Sequence, residues 1–217
     1  LLLEVISGHD KNDSTSLEFP GLDFSEIAEN KNFRIGIIKE AFGKGVDKTV
    51  KKSVLDLVDR LKKSGIQCEE VSLPMTFKYG IQTYYLISMA ETSTNQAKFC
   101  GLRYGYEEKI HGNFNEYFSK IRSNAFNKES KRRIILGTFT RMAGYRDAYY
   151  NKAMKVRTLI IEEYKKLFKK YDVLVSPTMP NIAPRFAEID EMTPLENYMM
   201  DIMTVGPNLA GFPHISV

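Results

Sequence analysis

The 217-residue chain holds two cysteines and three histidines, little material for a metal centre or a disulfide framework. Cys68 and Cys100 stand far apart, and His9, His111 and His214 are isolated. Neither HExxH nor CxxC occurs, so no ligand set at zinc spacing is available and no metal is expected. Sparse, separated cysteines fit a reducing compartment better than a secreted scaffold, which points to the cytoplasm. Phosphate-cradling loops are missing too: there is no GxxxxGK[ST] and no GxGxxG. The glycines of Phe42-Gly43-Lys44-Gly45 read as a turn between strand and helix. Apolar runs such as Leu1–Leu3 and Tyr84–Ile87 fall far short of the ~20 residues of a membrane span. Thirty-one basic against 27 acidic residues give a charge of +4, too small and too evenly spread for a nucleic-acid footprint. Its densest basic run, Lys128–Arg133, is interrupted by Glu129 and Ser130 and reads as a solvated helix face.

A further absence decides more. Nucleophilic catalysis needs an activated Ser, Cys or Thr beside a base, usually on a strained, glycine-flanked turn whose amides bind the oxyanion. Ser176 follows a strand and precedes Pro177, with no glycine-rich turn after it and no partner base; it reads as a strand-end turn residue. No catalytic residue is therefore assigned to this chain. The sequence opens on Leu1 with neither a basic leader nor a small-residue cleavage site before polar sequence, and the expectation is a segment cut from a longer protein.

What is present is ordinary globular material, 43% hydrophobic and 27% charged, enough for one sizeable core. Arg34–Ile38 is a short apolar run that predicts a strand. Val50, Val54, Leu57, Val58 and Leu61 recur at helical spacing, with Asp47 as N-cap and Gly65 as stop. Ile66–Leu73, closed by Pro74, predicts a second strand, so residues 33–73 form a βαβ unit with a parallel pair and a right-handed crossover. Helical patterns follow from Phe77 toward Phe99. Between Gly144 and Tyr171, Tyr149, Ala153, Val156, Ile160, Tyr164, Leu167 and Tyr171 trace one apolar stripe. Asp172–Val175 predicts a buried strand and His214–Val217 another. Helices around a sheet of several strands give a three-layer α/β/α architecture.

Two charges stand among apolar residues: Arg133, before Ile134, Ile135 and Leu136, and Asp201, between Met199, Met200, Ile202 and Met203. An ionised group in such surroundings is costly unless paired, so each holds either a structural partner or a charged ligand.

Ordered blocks along nearly the whole chain resemble amidase signature enzymes. Leu1-Leu2-Leu3 through Gly8-His9-Asp10 to Asp13-Ser14-Thr15 resembles the stretch just downstream of their active serines. Tyr84-Tyr85 with Glu91, Asn95 and Gly101-Leu102-Arg103-Tyr104-Gly105 resembles a glutamine-hydrolysing branch, the A subunits of glutamyl-tRNA(Gln) amidotransferases. So do Arg132-Arg133-Ile134 with Leu136-Gly137-Thr138, Gly144-Tyr145 with Asp147-Ala148-Tyr149-Tyr150, Lys155-Val156-Arg157-Thr158, Asp172–Pro177 with Thr178 and Pro180, and Asp201 leading into Asn208-Leu209-Ala210-Gly211-Phe212-Pro213.

The resemblance implies a single amidase domain with a mixed sheet, of which residues 1–217 are an interior and C-terminal portion truncated at both ends. The fragment alone would be inactive, because the family's nucleophilic serine, second serine and lysine lie upstream. A three-layer domain short of those elements would expose apolar faces. The implied activity of the intact protein is hydrolysis of glutamine through an acyl-serine intermediate, with ammonia passed to a partner that amidates Glu-tRNA(Gln). The implied substrate contacts are Arg133 for the α-carboxylate, Asp201 for the α-ammonium and Tyr84 lining the pocket, with Tyr85 as the alternative. Partner B and C subunits, tRNA reached through the partner, and ATP and Mg used by the partner complete the implied assembly; no cofactor is expected in the glutamine-hydrolysing chain itself. Met199, Met200, Met203 and His214 depart from many relatives and bear on fine pocket shape. Two other readings fit the same residues: a general acyl amidase in which Arg133 and Asp201 are structural ions, and a non-catalytic truncated scaffold homologue.

Overall fold

The computed structural model describes residues 2–19 and 33–216. A short helix, α1 (Leu2–Ile6), precedes strand β1 (Arg34–Ile38); Leu1 lies outside the described residues. Ile35, Gly36, Ile37 and Ile38 are all buried. Successive strand residues point to opposite faces, so four consecutive buried positions mean that both faces of β1 are covered. Helix α2 (Lys48–Lys63) follows, and the Asp47 carboxylate caps it, accepting from the Thr49 and Val50 amides at 2.7 and 3.1 Å. Strand β2 (Gln67–Val71) then returns parallel to β1, with Ile35 opposite Cys68. The expected βαβ unit is present.

Helix α3 (Pro74–Asn95) is the spine of the helical part, with Pro74 in its first turn, where a missing N–H is harmless. Its free amides are taken up from a distance. Glu163 accepts from the Met75 and Thr76 amides at 2.8 and 3.0 Å and from the Thr76 hydroxyl, and Glu40 accepts from the Leu73 amide at 3.1 Å. Both carboxylates sit at the positive end of the helix dipole. Helix α4 (Phe114–Ala125) opens on a reciprocal Asn113–Glu116 capping box, and α5 (Lys128–Arg141) is capped by Asn127.

Residues Asp147–Asn151 form a π-helical turn running into α6 (Lys152–Phe168). The expected unbroken stripe is thereby corrected at its start. Ala153, Ile160 and Tyr164 are buried as predicted, but the wider turn rotates Tyr149 off the buried face, where it is 39% exposed.

Strand β3 (Val173–Val175) pairs with the other side of β1, giving the order β2-β1-β3. Here the expected buried strand is corrected: Val173 is exposed, and Leu174 and Val175 are half-buried. Among the described residues β3 has one neighbour strand, so it is an edge. Both described pairings are parallel, where the resemblance implies a mixed sheet. The predicted strand at His214–Val217 is absent over 214–216, which are exposed and make no ladder; Ser216 reaches Thr178 through hydroxyls at 2.8 Å instead. Val217 lies outside the described residues. Three short helices, α7 (Phe186–Glu191), α8 (Pro194–Met199) and α9 (Val205–Ala210), close the chain, with a 3-10 turn Met200–Met203 between the last two.

The main core joins Ile38, Val71 and Leu73 from the sheet side to Ile87 of α3, Ala153, Ile160 and Tyr164 of α6, and Met203 and Leu209. A second cluster of Ile81, Tyr85, Met89 and Val205 lies against α9. The outward face of α5 is apolar and uncovered, with Ile135, Leu136, Phe139 and Met142 all exposed.

One close approach fixes how α5 sits on α3. A Cβ at Gly137 of α5 would lie 1.8 Å from the Met89 carbonyl oxygen of α3, so the two backbones touch where α5 has no side chain. The helices run parallel through this contact: Arg141 donates to the Thr94 hydroxyl on one side of it, and Arg133 faces Tyr85 on the other. Gly137→Ala is expected to force α5 away from α3 and to destabilise the protein by about 1–3 kcal/mol, the usual range for overpacking. Equilibrium urea unfolding would measure it, and an unchanged midpoint would contradict the packing described.

Candidate functional site

The two charges singled out by sequence meet on one tyrosine. Tyr85, on the buried side of α3, donates its hydroxyl to Asp201 Oδ2 at 2.5 Å. The Arg133 guanidinium carbon lies 5.6 Å from the centre of the same ring. Burial, and then the hydrogen bond to Asp201, push the Tyr85 hydroxyl far above the usual tyrosine range, so it stays a donor. Among the described residues Arg133 and Asp201 form no direct ion pair; the ring and its hydroxyl stand between them.

Two residues that sequence reading passed over complete the arrangement. Tyr198 stacks on Tyr85 with ring centres 4.1 Å apart and planes 27° from parallel, and Arg133 lies 5.7 Å from its centre as well. Glu129 Oε1 accepts from Arg133 Nε at 2.9 Å and from the Tyr198 hydroxyl at 2.8 Å, while Oε2 accepts from Arg132. The expected solvated basic face is thus corrected: Arg132 and Arg133 are half-buried and share one carboxylate.

The spacing carried both signals. Glu129 and Arg133 are four apart on α5, which places them on one helix face. Tyr198 and Asp201 are three apart where α8 runs into its 3-10 turn, a segment started by the Thr193–Glu196 capping box.

Tyr84 sits one step aside. Its ring meets Tyr85 edge-on at 5.3 Å, and among the described residues its hydroxyl makes no hydrogen bond to Arg133 or Asp201. Contact with both charges belongs to Tyr85. Neither of two sizeable cavities is lined by these residues. One, of about 520 Å³, runs along β3 past Ser176, Tyr164 and Pro213. The other, of about 460 Å³, lies between α3 and the end of α5, at Glu91, Arg141 and Arg146. Ser176 is half-buried and makes no side-chain hydrogen bond among the described residues. Among those residues, no group of three His, Cys, Asp or Glu side chains could hold a metal ion, and no helix is long and apolar enough to cross a membrane.

Chemically, the arrangement offers one fixed positive and one fixed negative group on either side of a neutral aromatic spacer. Arg133 Nε is occupied by Glu129, and among the described residues its terminal nitrogens have no hydrogen-bond partner; the side chain is 37% exposed. A planar guanidinium with those nitrogens available matches a carboxylate, and a half-buried carboxylate matches an ammonium.

The chain belongs to the amidase family, whose model matches residues 1–217. It is similar to the A subunit of glutamyl-tRNA(Gln) amidotransferase from Staphylococcus epidermidis, 49% identical over 220 residues, covering 100% of this chain and 45% of that protein. The counterpart from Staphylococcus aureus is 48% identical over 220 residues and that from Macrococcus caseolyticus 46% over 219, each with 100% of this chain and 45% of the relative covered. The crystal structure of the A subunit of glutamyl-tRNA(Gln) amidotransferase from Thermotoga maritima superposes with a TM-score of 0.66 at 34% identity, over 96% of this chain and 40% of that one. The chain thus spans less than half the length of these relatives.

Two outcomes are expected. Tyr85→Phe removes the donor on a half-buried carboxylate and should cost about 1–3 kcal/mol, while Tyr84→Phe should cost little; equal losses in denaturant midpoints would contradict the difference. Burial raises the Glu129 pKa, but hydrogen bonds from Arg133 and Tyr198 outweigh it and hold the carboxyl below its ordinary value. A depressed carboxylate contributes stability that is complete above its unfolded pKa and fades as pH falls through the lowered folded value. The stability gap between the native protein and Glu129→Gln should therefore be constant above roughly pH 5 and shrink below about pH 4, near the ordinary glutamate pKa. A gap that widened on acidification would reverse that sign.

Proposed function

We propose that this chain is an interior and C-terminal part of the glutamine-hydrolysing A subunit of a glutamyl-tRNA(Gln) amidotransferase, acting in the cytoplasm. The intact protein would release ammonia from glutamine through an acyl-serine intermediate. In an assembly with B and C subunits, the ammonia would pass to the partner that holds the tRNA, which would use ATP and Mg to amidate the tRNA-bound glutamate. The nucleophile belongs to sequence outside this chain, and the contribution of residues 1–217 is recognition of the substrate's amino acid end.

The observation that carries the reading is the placement of Arg133 and Asp201 on one tyrosine without a bond between them. Free glutamine is a zwitterion, so its α-carboxylate needs a fixed cation and its α-ammonium a fixed anion, on rigid elements and held apart. Here the cation rides on α5, locked against α3 by Gly137, and the anion on the turn before α9. Tyr85 is the aromatic ring between them, and Tyr84, edge-on beside it, is the other candidate to line the pocket. The similarity of the whole chain to the A subunits of glutamyl-tRNA(Gln) amidotransferases supports the same substrate.

A second reading, a general acyl amidase with Arg133 as a structural ion, draws on the Arg133–Glu129 pair, which satisfies the guanidinium in part without any ligand. The two separate on substrates. In the complete protein, Arg133→Ala is expected to lower kcat/KM for glutamine roughly thirtyfold to several thousandfold, equivalent to ~2–5 kcal/mol for a lost contact between charges closed off from water by the bound substrate. Hydrolysis of a neutral acyl amide should fall much less. Equal losses on both substrates, or a native preference for neutral amides, would favour the general amidase.

A further inference from the structure

Glu129 and Tyr198 are not needed to bind a zwitterion, yet they take up more of the site's hydrogen bonding than Asp201 does. One oxygen, Glu129 Oε1, receives both Arg133 Nε and the Tyr198 hydroxyl, at 2.9 and 2.8 Å. The Tyr198 ring stacks on Tyr85, whose hydroxyl binds Asp201. The chain of contacts runs without a gap from the cation, through a carboxylate and two stacked tyrosines, to the anion. It joins three separate elements, α5, α3 and the α8 turn.

We propose that Glu129 and Tyr198 are positioning residues that make the site selective for an α-amino acid carboxylate, by fixing the Arg133 guanidinium edge-on so that its terminal nitrogens remain for the substrate. This inference rests on the substrate reading above and deepens it.

The geometry gives each part a reason. An arginine side chain has several rotatable bonds, and an unrestrained one loses rotamer freedom each time it grips a ligand. A hydrogen bond to Nε fixes the plane and the direction of the fork while leaving its bidentate end open. The two tyrosine rings, at 5.6 and 5.7 Å from the guanidinium carbon, supply a second restraint. Charge balance is kept because the other oxygen of Glu129 takes Arg132. Two guanidiniums share one carboxylate, so one positive charge is left over for a substrate carboxylate. Without Arg132, Glu129 would compete with the substrate for Arg133.

The test compares kcat/KM for glutamine with kcat/KM for a neutral acyl amide in the complete protein, assembled with its partners. Glu129→Gln and Tyr198→Phe keep shape and packing. Each should lower the glutamine-to-neutral-amide ratio, Glu129→Gln by roughly tenfold, the effect of one charge-assisted hydrogen bond, with the loss in KM for glutamine more than in kcat. Because both act through Arg133, adding Glu129→Gln to Arg133→Ala should lower the ratio no further. An unchanged or raised ratio in Glu129→Gln would overturn the proposal, a rise showing a competing internal carboxylate. An additive loss in the double variant would overturn it as well, as a direct role independent of Arg133. If Arg133→Ala itself leaves the ratio unchanged, the underlying substrate reading fails; if Arg133→Ala lowers it and Glu129→Gln does not, the positioning role alone fails.

Discussion

The site depends on a backbone contact between two helices. Where α5 crosses α3, Gly137 leaves no room for a Cβ above the Met89 carbonyl, and that contact sets the register of the two helices in both translation and rotation. One turn before it on each helix stand Arg133 and Tyr85. A side chain at 137 would push the helices apart and carry Arg133 away from the Tyr85 ring. The charge pattern of the site is therefore a consequence of packing, not of flexible side chains finding each other.

Around this contact the anchoring is distributed. Glu163 and Glu40 hold the start of α3 from α6 and from the 3-10 turn Lys39–Phe42 after β1, so the spine helix is tied at its N-terminus to the sheet and farther along to α5. Asp201 arrives from the other side on a turn whose neighbours Met203 and Val205 are buried in the two core clusters. Cation and anion thus sit on separately held elements, α5 on the α3 backbone at Gly137 and the Asp201 turn in the core clusters. A pair so arranged does not collapse into a direct salt bridge, and both charges keep capacity for a ligand.

Much of the βαβ unit was legible because it obeys local rules: isoleucines in β1, a five-residue apolar recurrence in α2, an aspartate cap and a glycine stop. The edge position of β3 was not, since burial of Asp172–Val175 depends on which strands flank it. The missing strand at His214 failed for the same reason, a ladder needing a partner that no local pattern reveals. The π turn at Asp147–Asn151 inserts its shift without any residue that signals it. At the site, Arg133 and Asp201 declared themselves as charges among apolar residues. Tyr85 could not be told from Tyr84, because α3 is flanked by core on several sides and two adjacent residues on such a helix are both candidates for burial. Glu129 was hidden inside a basic run, where it read as an interruption; its four-residue spacing to Arg133 was the available clue.

If Arg133 and Asp201 hold opposite ends of one free amino acid, as proposed, blocking either end of the substrate should weaken its binding. Competition by glutamine analogues for glutamine hydrolysis in the complete protein would use glutamine with its α-carboxylate converted to an amide, and glutamine with its α-amine acetylated. The account predicts that each modification weakens binding by at least tenfold, since either leaves a half-buried charge without its partner. An analogue capped at either end that competed as well as glutamine itself would contradict it.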